Sequence, residues 1–491
     1  MGKFDMEGQP RMRLLSEEDL LKIHNRALSV LAETGVKIYS GTALEILANK
    51  GAEIDYQQKI AKIPEQMVLD AINTVPQSLK LYDRKGENFL DLGGDNVHFD
   101  PGSAAIKFME ADGSVRNSIS DDLIKISRLT DYLDNLDLQS SSVVLYDIPK
   151  SIGDCYRLYL MLKNSTKPII TGAFSSKGIT YMHDMLVAVA GSEDELRARP
   201  RAVFDICPSP PLKWTEISSQ NIIDCARYGL PIETISMPMP GAASPATIAG
   251  SVVLHTAETL SGIVLAQSVN PGTPMVYGGA PVNFDMRVGT TPMSAIEATM
   301  IGAAYGQMGK YYGMPTHTYA CLSDAKTIDA QAGLETAMSG IVAQLAGINI
   351  ISGPGILDFV GCLSLEKLAI DNDICGMALR LNRGLDCSEE SLAVELIKEV
   401  GPGGDYLTTE HTMNHFRDES YFPSKIIDRS DRSSWESEGK RSSPDRAREL
   451  VAEILENHQP ESLAGDLEEK IDGVMKKIIE RESISELPHG P

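Results

Sequence analysis

The chain has 491 residues, of which 42% are hydrophobic and 23% are charged, a globular composition that excludes a wholly disordered protein. Its 45 basic and 68 acidic residues give a formal net charge of −23 at pH 7. A surface this acidic repels phosphate groups, so neither nucleic acid nor an anionic membrane surface is expected as a partner.

The sequence has no segment that predicts membrane insertion or secretion. No window of about 18 apolar residues is free of charge. The nearest, residues 243–267, contains His255 and Glu258 and is predicted to be a buried helix. The N-terminus lacks the apolar core of a signal peptide. Seven cysteines without a CxxC pair argue against a disulfide framework and favour a reducing cytoplasm.

Residues 1–94 are predicted to form a helical and mixed extension. Ser16, followed by acidic residues, is a typical helix N-cap, and apolar residues at helical spacing continue to Gly35. A second helix is predicted from about Pro64 to Ile72. The strand-like segments VKI, KIAKI and SLKLYD predict a small sheet beside these helices.

Residues 95–386 repeat a pattern of short β-rich run, loop and helix. Eight runs are predicted as strands, at 97–99, 141–146, 167–174, 201–207, 231–237, 273–279, 314–320 and 348–355. Continuous apolar strands that alternate with helices indicate a parallel sheet buried on both faces. Eight such units match a (β/α)8 TIM barrel, so the predicted class is α/β with helical N-terminal and C-terminal extensions. An open doubly wound sheet is the alternative, although the sequence has neither a GxGxxG after the first strand nor a P-loop.

Residues 387–491 are predicted to form a charged, helical C-terminal extension. Residues 388–401 read as a capped helix that ends in glycine, and 443–459 and 461–482 as two amphipathic helices. The polar stretch 428–443 is predicted to be a surface connection. Two amphipathic helices in this position favour a homo-oligomer.

In a barrel of this kind, the chemistry lies at the carboxyl ends of the strands. The predicted strand ends are rich in aromatic and methionine residues, and the titratable groups expected near the centre are Asp100, His317, Asp324 and Lys326. The rim lacks a glutamate pair for glycoside hydrolysis, a strand-end lysine for a Schiff base and an HExxH motif. An aromatic pocket poor in acid–base groups suits a quaternary ammonium ion, which is held by cation–π attraction.

Several of these residues have structural explanations of equal or greater weight. A ring at a strand end more often packs than binds, and His317 is as consistent with a core histidine as with a functional one. Asp324 and Lys326 are equally consistent with a helix cap and a mutual ion pair. His411 and His415 share a helix face, but without a third ligand a zinc site is not predicted.

Three segments resemble the trimethylamine methyltransferase superfamily, and together the resemblance covers nearly the whole chain. They are SDAKTIDAQAG at 323–333, the following helix GLETAMSGIVAQLAG, and the tail at 401–439. The most specific part of the match is the set His411, His415, the DRS motif, Trp435 and Gly439.

The resemblance implies a (β/α)8 barrel that passes a methyl group from an amine to the cobalt of a small corrinoid protein. Trimethylamine members carry pyrrolysine inside the barrel near the seventh strand, whereas this sequence contains only the twenty standard residues. The chain therefore resembles the members without pyrrolysine, which demethylate quaternary amines such as glycine betaine to products such as dimethylglycine.

The chemistry of the leaving group supports this distinction. A tertiary amine leaves as a strongly basic amide anion unless its nitrogen is first made cationic, whereas a quaternary amine leaves as a neutral tertiary amine. The cobalt of cob(I)alamin is a strong nucleophile, so the protein has to orient the methyl group and exclude water. The resemblance implies that the partner corrinoid protein supplies cob(I)alamin, and that this chain has no tightly bound cofactor, no metal and no catalytic residue.

The predicted substrate site places the ammonium methyl groups among Phe99, Tyr277 and Phe359. If the substrate is a betaine, His317 or a strand-end backbone amide is expected to meet its carboxylate. The choice among glycine betaine, proline betaine and carnitine depends on the shape of the pocket.

Three other functions stay open at this point. The first is a trimethylamine methyltransferase whose pyrrolysine was written as a standard residue or skipped. The second is a zinc-dependent methyltransferase of methanol or methoxylated substrates that uses His411, His415 and a thiol. The third is a non-catalytic subunit that binds a quaternary amine.

Overall fold

The structure is a computed structural model that describes residues 10–490. Eight short parallel strands form its centre, and nearly every residue in them is buried. In chain order they are β1 His98–Asp100, β2 Gln139–Ser140, β3 Ile169–Gly172, β4 Ala202–Ile206, β5 Ile232–Ser236, β6 Met275–Gly279, β7 His317–Tyr319 and β8 Ile350–Ser352.

The eight strands are arranged in two parallel sheets. One sheet has the order β6-β5-β4-β3-β2 and the other has the order β7-β8-β1. A single parallel bridge joins Tyr277 of β6 to Thr316 beside β7. At the opposite end, the N–H groups of Asp137 and Leu138, just before β2, donate to the carbonyl of Phe99 in β1. The predicted α/β class is confirmed, but the ladders form two sheets where one closed sheet was expected.

The second strand lies earlier than predicted, at 139–140 where 141–146 was expected, whereas the other seven predicted strands overlap observed ones. The run of serines explains this shift. The N–H of Ser142 donates to the carbonyl of Ser140, and its hydroxyl contacts the same oxygen. Such local bonds compete with a sheet ladder, so the strand ends at Ser140.

Helices surround the strands and form both ends of the chain. The N-terminal helices are α1 Glu17–Ser29, α2 Gly41–Asn49 and α3 Glu65–Thr74. The central helices are α4 Ser120–Tyr132, α5 Gly153–Asn164, α6 Gly178–Ala190, α7 Glu193–Ala198, α8 Glu216–Tyr228, α9 Ile248–Val269, α10 Ile296–Tyr311, α11 Ala330–Leu345 and α12 Leu365–Asn382. The C-terminal helices are α13 Glu389–Leu392, α14 Val394–Val400, α15 Glu410–Glu419, α16 Arg432–Ser437, α17 Ser443–Asn457 and α18 Gly465–Glu482.

The small N-terminal sheet includes a strand from the central part of the chain. Strand Val36–Ile38 pairs with Ile60–Lys62 and also, in parallel, with Lys213–Trp214. Strand Glu53–Asp55 completes this sheet, whereas Lys80–Tyr82 forms a separate hairpin with Phe89–Asp91. The N-terminal extension is therefore joined to the central part by backbone hydrogen bonds.

Helix α9 is the one described helix that is long and apolar enough to cross a membrane, and 72% of its most apolar window is buried inside the protein. His255 and Glu258 in this helix are fully buried. The helix packs against α1, α3, α8 and α10, so it is a core helix, as the sequence predicts.

The C-terminal region differs from its prediction in two ways. Residues 388–401 form two short helices, because Ala393 between them has a left-handed φ of 48°. The apolar faces of α17 and α18 are covered within the chain, with α17 against α4 and α12, and α18 against α5 and α6. These faces were the reason to expect a homo-oligomer, and the structure leaves that expectation without support.

A four-stranded sheet outside the eight parallel strands holds the loop 358–361. Its strands are Ile356–Leu357, Cys362–Ser364, Lys107–Met109 and Val115–Asn117. The loop connects the antiparallel pair formed by the first two strands.

Candidate substrate site

A cavity of about 300 Å³ lies at the carboxyl ends of the eight parallel strands. Residues at or beyond the end of every strand line it. In strand order these include Ser103, Ser141, Phe174, Cys207, Met237, Val282, Tyr319 and Phe359. The cavity is therefore where the sequence analysis expected the chemistry.

One part of the cavity is aromatic and thioether-rich. Phe174, Tyr319 and Phe359 supply rings, and Met237 and Met293 supply sulfur atoms. The Tyr319 hydroxyl is 2.9 Å from the Ser103 hydroxyl, which fixes the ring at the cavity wall. Ring faces and polarizable thioethers attract cations without needing a hydrogen bond from them.

Phe359 is held by an unusual loop. Asp358, Phe359 and Val360 have consecutive left-handed φ values of 53°, 58° and 63°. Each such conformation costs a non-glycine residue about 1–2 kcal/mol, and strain of this kind clusters at functional sites. The N–H of Asp358 donates to the carbonyl of Ala325, and the Lys326 ammonium lies 3.7 Å from the centre of the Phe359 ring.

Asp324 ties together two loops at the cavity. Its carboxylate accepts the backbone N–H groups of Met293 and Ser294 at 3.1 and 2.9 Å, and also the Ser294 hydroxyl. Lys326 donates to the backbone carbonyl of Asp324 and does not pair with its carboxylate. The N-cap of α11 is Asp329. Asp324 is therefore neither the cap nor the ion-pair partner considered from the sequence, but a link between the segment after β7 and the segment that carries Met293.

A buried arginine on α5 lines the other side of the cavity. The Arg157 guanidinium donates to the carbonyl of Ser141 at 3.1 Å and to the carboxylate of Asp154 at 3.3 Å. It also lies 5.3 Å from the centre of the Phe174 ring. The second carboxylate oxygen of Asp154 accepts the N–H groups of Phe174 and Ser175, so one carboxylate positions both the arginine and the Phe174 loop.

Asp205 and Glu233 form a carboxyl pair at the floor of the cavity, in which Glu233 is fully buried. They are direct neighbours on β4 and β5, and Asp205 lines the cavity. Burial and the nearby Glu233 carboxylate raise the pKa of Asp205 well above its ordinary value. Burial raises the pKa of Glu233 to about 8. Gly278 leaves room for this pair, because a β-carbon there would lie 2.7 Å from Oε1 of Glu233.

The carboxyl pair continues into a buried polar chain. Nδ1 of His317 is 2.5 Å from Oε1 of Glu233, although the ring is not oriented for a hydrogen bond. Nε2 of His317 is 2.9 Å from the hydroxyl of Ser352, which donates to Asp100 at 2.6 Å. A neutral imidazole has one N–H, so the tautomer of His317 sets the direction of its hydrogen bond with Ser352. Burial lowers the pKa of His317 to about 4, which favours this neutral ring.

Of the four predicted substrate residues, Phe359 lines the cavity and the other three do not. Successive strand residues face opposite sides, and the inward positions are occupied by Asp100 in β1 and Gly278 in β6. Phe99 and Tyr277 therefore face the helices, and the Tyr277 hydroxyl donates to Thr256 of α9. His317 faces inward but lies in the buried polar chain.

The sequence analysis missed Arg157, Asp205 and Glu233, and its expectation of a pocket poor in titratable groups is corrected by them. A signal was present. Asp205 and Glu233 are acids within the apolar strand segments AVFDI and IETIS, and Arg157 lies within the apolar helix segment CYRLYLML. A charged residue inside an otherwise apolar, buried element is rare unless it is paired.

The structure gives the histidine pair no set of metal ligands. The rings of His411 and His415 are 4.3 Å apart, and Nε2 of His415 is 3.4 Å from a carboxylate oxygen of Glu390. Within residues 10–490, no group of three or more His, Cys, Asp or Glu side chains could hold a metal ion.

Comparison with known proteins places this site in context. Residues 3–482 match the family described as trimethylamine methyltransferase (MTTB). The chain is 35% identical over 466 residues to trimethylamine methyltransferase MttB of Desulfitobacterium hafniense, covering 95% of this chain and 93% of the relative. It is 33% identical over 474 residues to MttB of Methanosarcina barkeri strain Fusaro, covering 95% of each.

Two further comparisons concern another substrate and a solved structure. The chain is 32% identical over 464 residues to glycine betaine methyltransferase of Desulfitobacterium hafniense strain Y51, covering 94% of this chain and 96% of the relative. The crystal structure of the monomethylamine methyltransferase MtmB of Methanosarcina barkeri superposes with a TM-score of 0.55 and 13% identity, covering 92% of this chain and 90% of that one. This last likeness shows a shared fold.

Proposed function

Since the chain belongs to the trimethylamine methyltransferase family and is a methyltransferase, we propose that it moves a methyl group from a quaternary amine to the cob(I)alamin of a partner corrinoid protein. Glycine betaine is the first candidate substrate, and its product is dimethylglycine. The relatives named for trimethylamine and for glycine betaine are similarly identical to this chain, so the choice between them rests on the site.

The observation that carries this proposal is the composition of the cavity. It combines three aromatic rings and two thioethers with a carboxyl group, and all its lining residues are standard amino acids. Rings and a carboxyl group together stabilise a permanent cation. The lining offers no electrophile that would activate a neutral tertiary amine.

The proposed reaction needs no proton transfer. The two electrons of cobalt(I) form the bond to the methyl carbon as the carbon–nitrogen bond breaks. The bonding pair stays on nitrogen, which leaves as a neutral tertiary amine, and the product is methylcob(III)alamin. The task of the chain is to hold the ammonium with one methyl group facing the partner and to keep water away. The carboxyl pair supplies charge complementarity in its ionised form, and it is not an acid or base in the transfer of the methyl group.

We also propose that the two sheets are arcs of one (β/α)8 barrel. Support comes from a cavity lined by residues at or beyond the ends of all eight strands, and from the backbone contacts at Tyr277 and Phe99 that link the sheet edges. Exposed apolar residues support a protein partner over the mouth of the cavity. Phe174, which lines the cavity, is 67% exposed. Met286 and Val288, which lie in the chain between the lining residues Val282 and Thr291, are 67% and 69% exposed. The free cysteines support a cytoplasmic location.

The direct test is spectroscopic. The purified protein is mixed with reduced corrinoid and a panel of glycine betaine, proline betaine, carnitine and trimethylamine, and conversion of cob(I)alamin to methylcob(III)alamin is followed by absorbance. We expect conversion with at least one quaternary amine and none with trimethylamine. Conversion with trimethylamine alone contradicts the proposal, and so does binding of a quaternary amine without methylation of cobalt.

Trimethylamine is the second candidate substrate, because several relatives carry that name. An in-frame amber codon in the coding DNA would support it, since it would mean that pyrrolysine had been written as a standard residue or skipped.

A further inference from the structure

The environment of Arg157 is unusual for an arginine. Its side chain is about 3% exposed, yet it lines the cavity and lies beside the ring of Phe174. A buried guanidinium is costly unless its N–H groups have acceptors. The residue lies within an apolar helix, so solvation by water does not explain why a charged side chain is found at this position.

The hydrogen bonds of Arg157 leave part of the guanidinium available. A guanidinium has five N–H donors. Among residues 10–490 its acceptors are the Ser141 carbonyl and one oxygen of Asp154, the latter at a long 3.3 Å. The other oxygen of Asp154 is used by two backbone N–H groups. A carboxylate ligand is the group that best fits the remaining planar donors.

Asp205 lines the same cavity but does not pair with Arg157. The ion pair of Arg157 in the described chain is with Asp154. Asp205 extends from β4 and Arg157 from α5, so a ligand that fills the cavity meets both groups. The cavity thus presents guanidinium N–H groups beyond those that bind Ser141 and Asp154, and a carboxyl group that does not pair with them.

We infer that the site binds a zwitterion, with the substrate carboxylate on Arg157 and the substrate ammonium between Asp205 and the aromatic rings. This inference rests on the proposed function and adds to it the residue that selects betaines over simple quaternary ammonium ions. It replaces His317 as the expected carboxylate partner, because both ring nitrogens of His317 face the buried polar chain.

The first experiment varies the ligand and leaves the protein unchanged. Isothermal titration calorimetry measures the Kd of glycine betaine, choline and tetramethylammonium. All three carry the methylated ammonium, but only glycine betaine carries a carboxylate. We expect glycine betaine to bind about tenfold or more tightly than choline and tetramethylammonium, because only its carboxylate can form charge-assisted hydrogen bonds with Arg157. Equal affinity for the three ligands overturns the inference.

The second experiment varies the protein. Arg157→Lys keeps the charge and removes the planar fork, and Arg157→Met removes the charge. We expect both to weaken glycine betaine about tenfold or more and to change tetramethylammonium binding by less than about threefold. Arg128→Lys is the matched control, because Arg128 donates to the carbonyls of Leu455 and His458 and does not line the cavity. Circular dichroism establishes that each variant is folded.

The results separate this inference from the proposed function. Selective binding of glycine betaine without methylation of cobalt supports the inference and contradicts the function. Methylation of cobalt by all three amines with similar Kd values supports the function and overturns the inference. A folded Arg157→Lys variant that binds glycine betaine as tightly as the unchanged protein also overturns it, and the absence of binding by any quaternary amine contradicts both.

Discussion

At the residue scale, Phe359 combines a ring that faces the cavity with a strained backbone. Two substitutions at this position test the effect of the ring on substrate binding and the effect of the backbone on stability separately. Phe359→Ala and Phe359→Gly both remove the ring, and we expect each to raise the KM for the quaternary amine about tenfold. Glycine adopts a φ of 58° without strain, so Phe359→Gly should be more stable than Phe359→Ala by about 1 kcal/mol. Thermal unfolding and steady-state kinetics measure the two effects.

Phe422→Ala is the control for these variants, because Phe422 is an exposed ring that does not line the cavity. An unchanged KM in both Phe359 variants would show that this ring does not contact the substrate.

The carboxyl pair predicts how binding depends on pH. In the free protein, burial raises the pKa of Asp205 well above its ordinary value and that of Glu233 to about 8, so Glu233 is mainly protonated at neutral pH. A cation favours the ionised carboxylate, so its affinity should rise with pH from 6 and level off above about 8. The pKa of His317, at about 4, lies outside this range.

Tetramethylammonium is the ligand for this test, because it does not titrate. Its Kd is measured from pH 6 to 9 in the unchanged protein and in Asp205→Asn. The variant should bind more weakly and show a flatter pH profile. A Kd that does not change with pH in the unchanged protein would contradict the role of the pair.

The sequence located the strand ends but did not identify the residues that face the cavity. A strand buried on both faces is apolar on both, so alternation gives no signal about which side points inward. Phe99 and Tyr277 looked as suitable as Tyr319 for this reason. Arg157 comes from a helix, and its approach to the strand ends depends on packing that no local pattern encodes.

At the scale of elements, Asp324 is a positioning residue for the cavity loops. Asp324→Ala removes the acceptor for the N–H groups of Met293 and Ser294. We expect kcat/KM to fall about tenfold, since misplacing a substrate contact is costly in a reaction that depends on orientation. Asp329→Ala is the control, because it removes the N-cap of α11 at a cost of about 1 kcal/mol and should leave kcat/KM unchanged. A similar kcat/KM for both variants would contradict the positioning role.

Helix α9 contains a titratable group that ties stability to pH. Burial lowers the pKa of His255 to about 3, and its ring stacks on Tyr305 with centres 4.0 Å apart. Below about pH 6.5 the unfolded chain binds a proton that the folded chain does not bind. The contribution of His255 is therefore complete above pH 6.5 and is lost as the pH falls towards 3.

His255→Gln tests this contribution by urea unfolding at several pH values from 7.5 to 4. The free energy of unfolding should be lower than in the unchanged protein at pH 7.5, and the difference should shrink as the pH falls. Glu233 has the opposite effect on stability, because the stability from its protonated form is lost as the pH rises through about 8. This effect is present in both the unchanged protein and His255→Gln, so it cancels in the difference between them. A difference independent of pH would contradict the assignment to His255.

The elements themselves were only partly predictable. Ser16 and the spacing after it identified α1, because capping and helical periodicity are local. The break at Ala393 was not visible, because alanine favours a helix and its left-handed φ of 48° comes from the surrounding structure. The strand Lys213–Trp214 was missed because its partner lies in the N-terminal extension.

At the scale of the whole molecule, α17 and α18 are part of the folded body. Ile478 of α18 is buried, whereas Leu385 is 80% exposed. Ile478→Asp should destabilise the protein by several kcal/mol, because it buries an unpaired charge, and Leu385→Asp should change stability little. Thermal unfolding by circular dichroism compares the two, and equal melting temperatures would contradict an integral role for α18.

The α/β class and the family were accessible from the sequence, because the alternation of strands and helices extends over hundreds of residues. The arrangement of the strands in two sheets was not accessible, since the backbone contacts of Tyr277 and Phe99 at the sheet edges depend on the twist and length of all eight strands. Contacts cross the boundary predicted at residue 94. Trp214 pairs with the N-terminal strand Val36–Ile38, and its indole N–H donates to the hydroxyl of Ser261 in α9.

The charged and the aromatic residues of the cavity are positioned by different kinds of structural element. Asp205 and Arg157 project from a strand and a helix, whereas Phe174 and Phe359 come from connecting loops. Laboratory evolution towards bulkier N-alkyl groups should therefore accumulate changes in the loops and leave the two charges intact. Natural enzymes that share Asp205 and Arg157 but differ in those loops should accept zwitterions of the same chemical class but of different sizes.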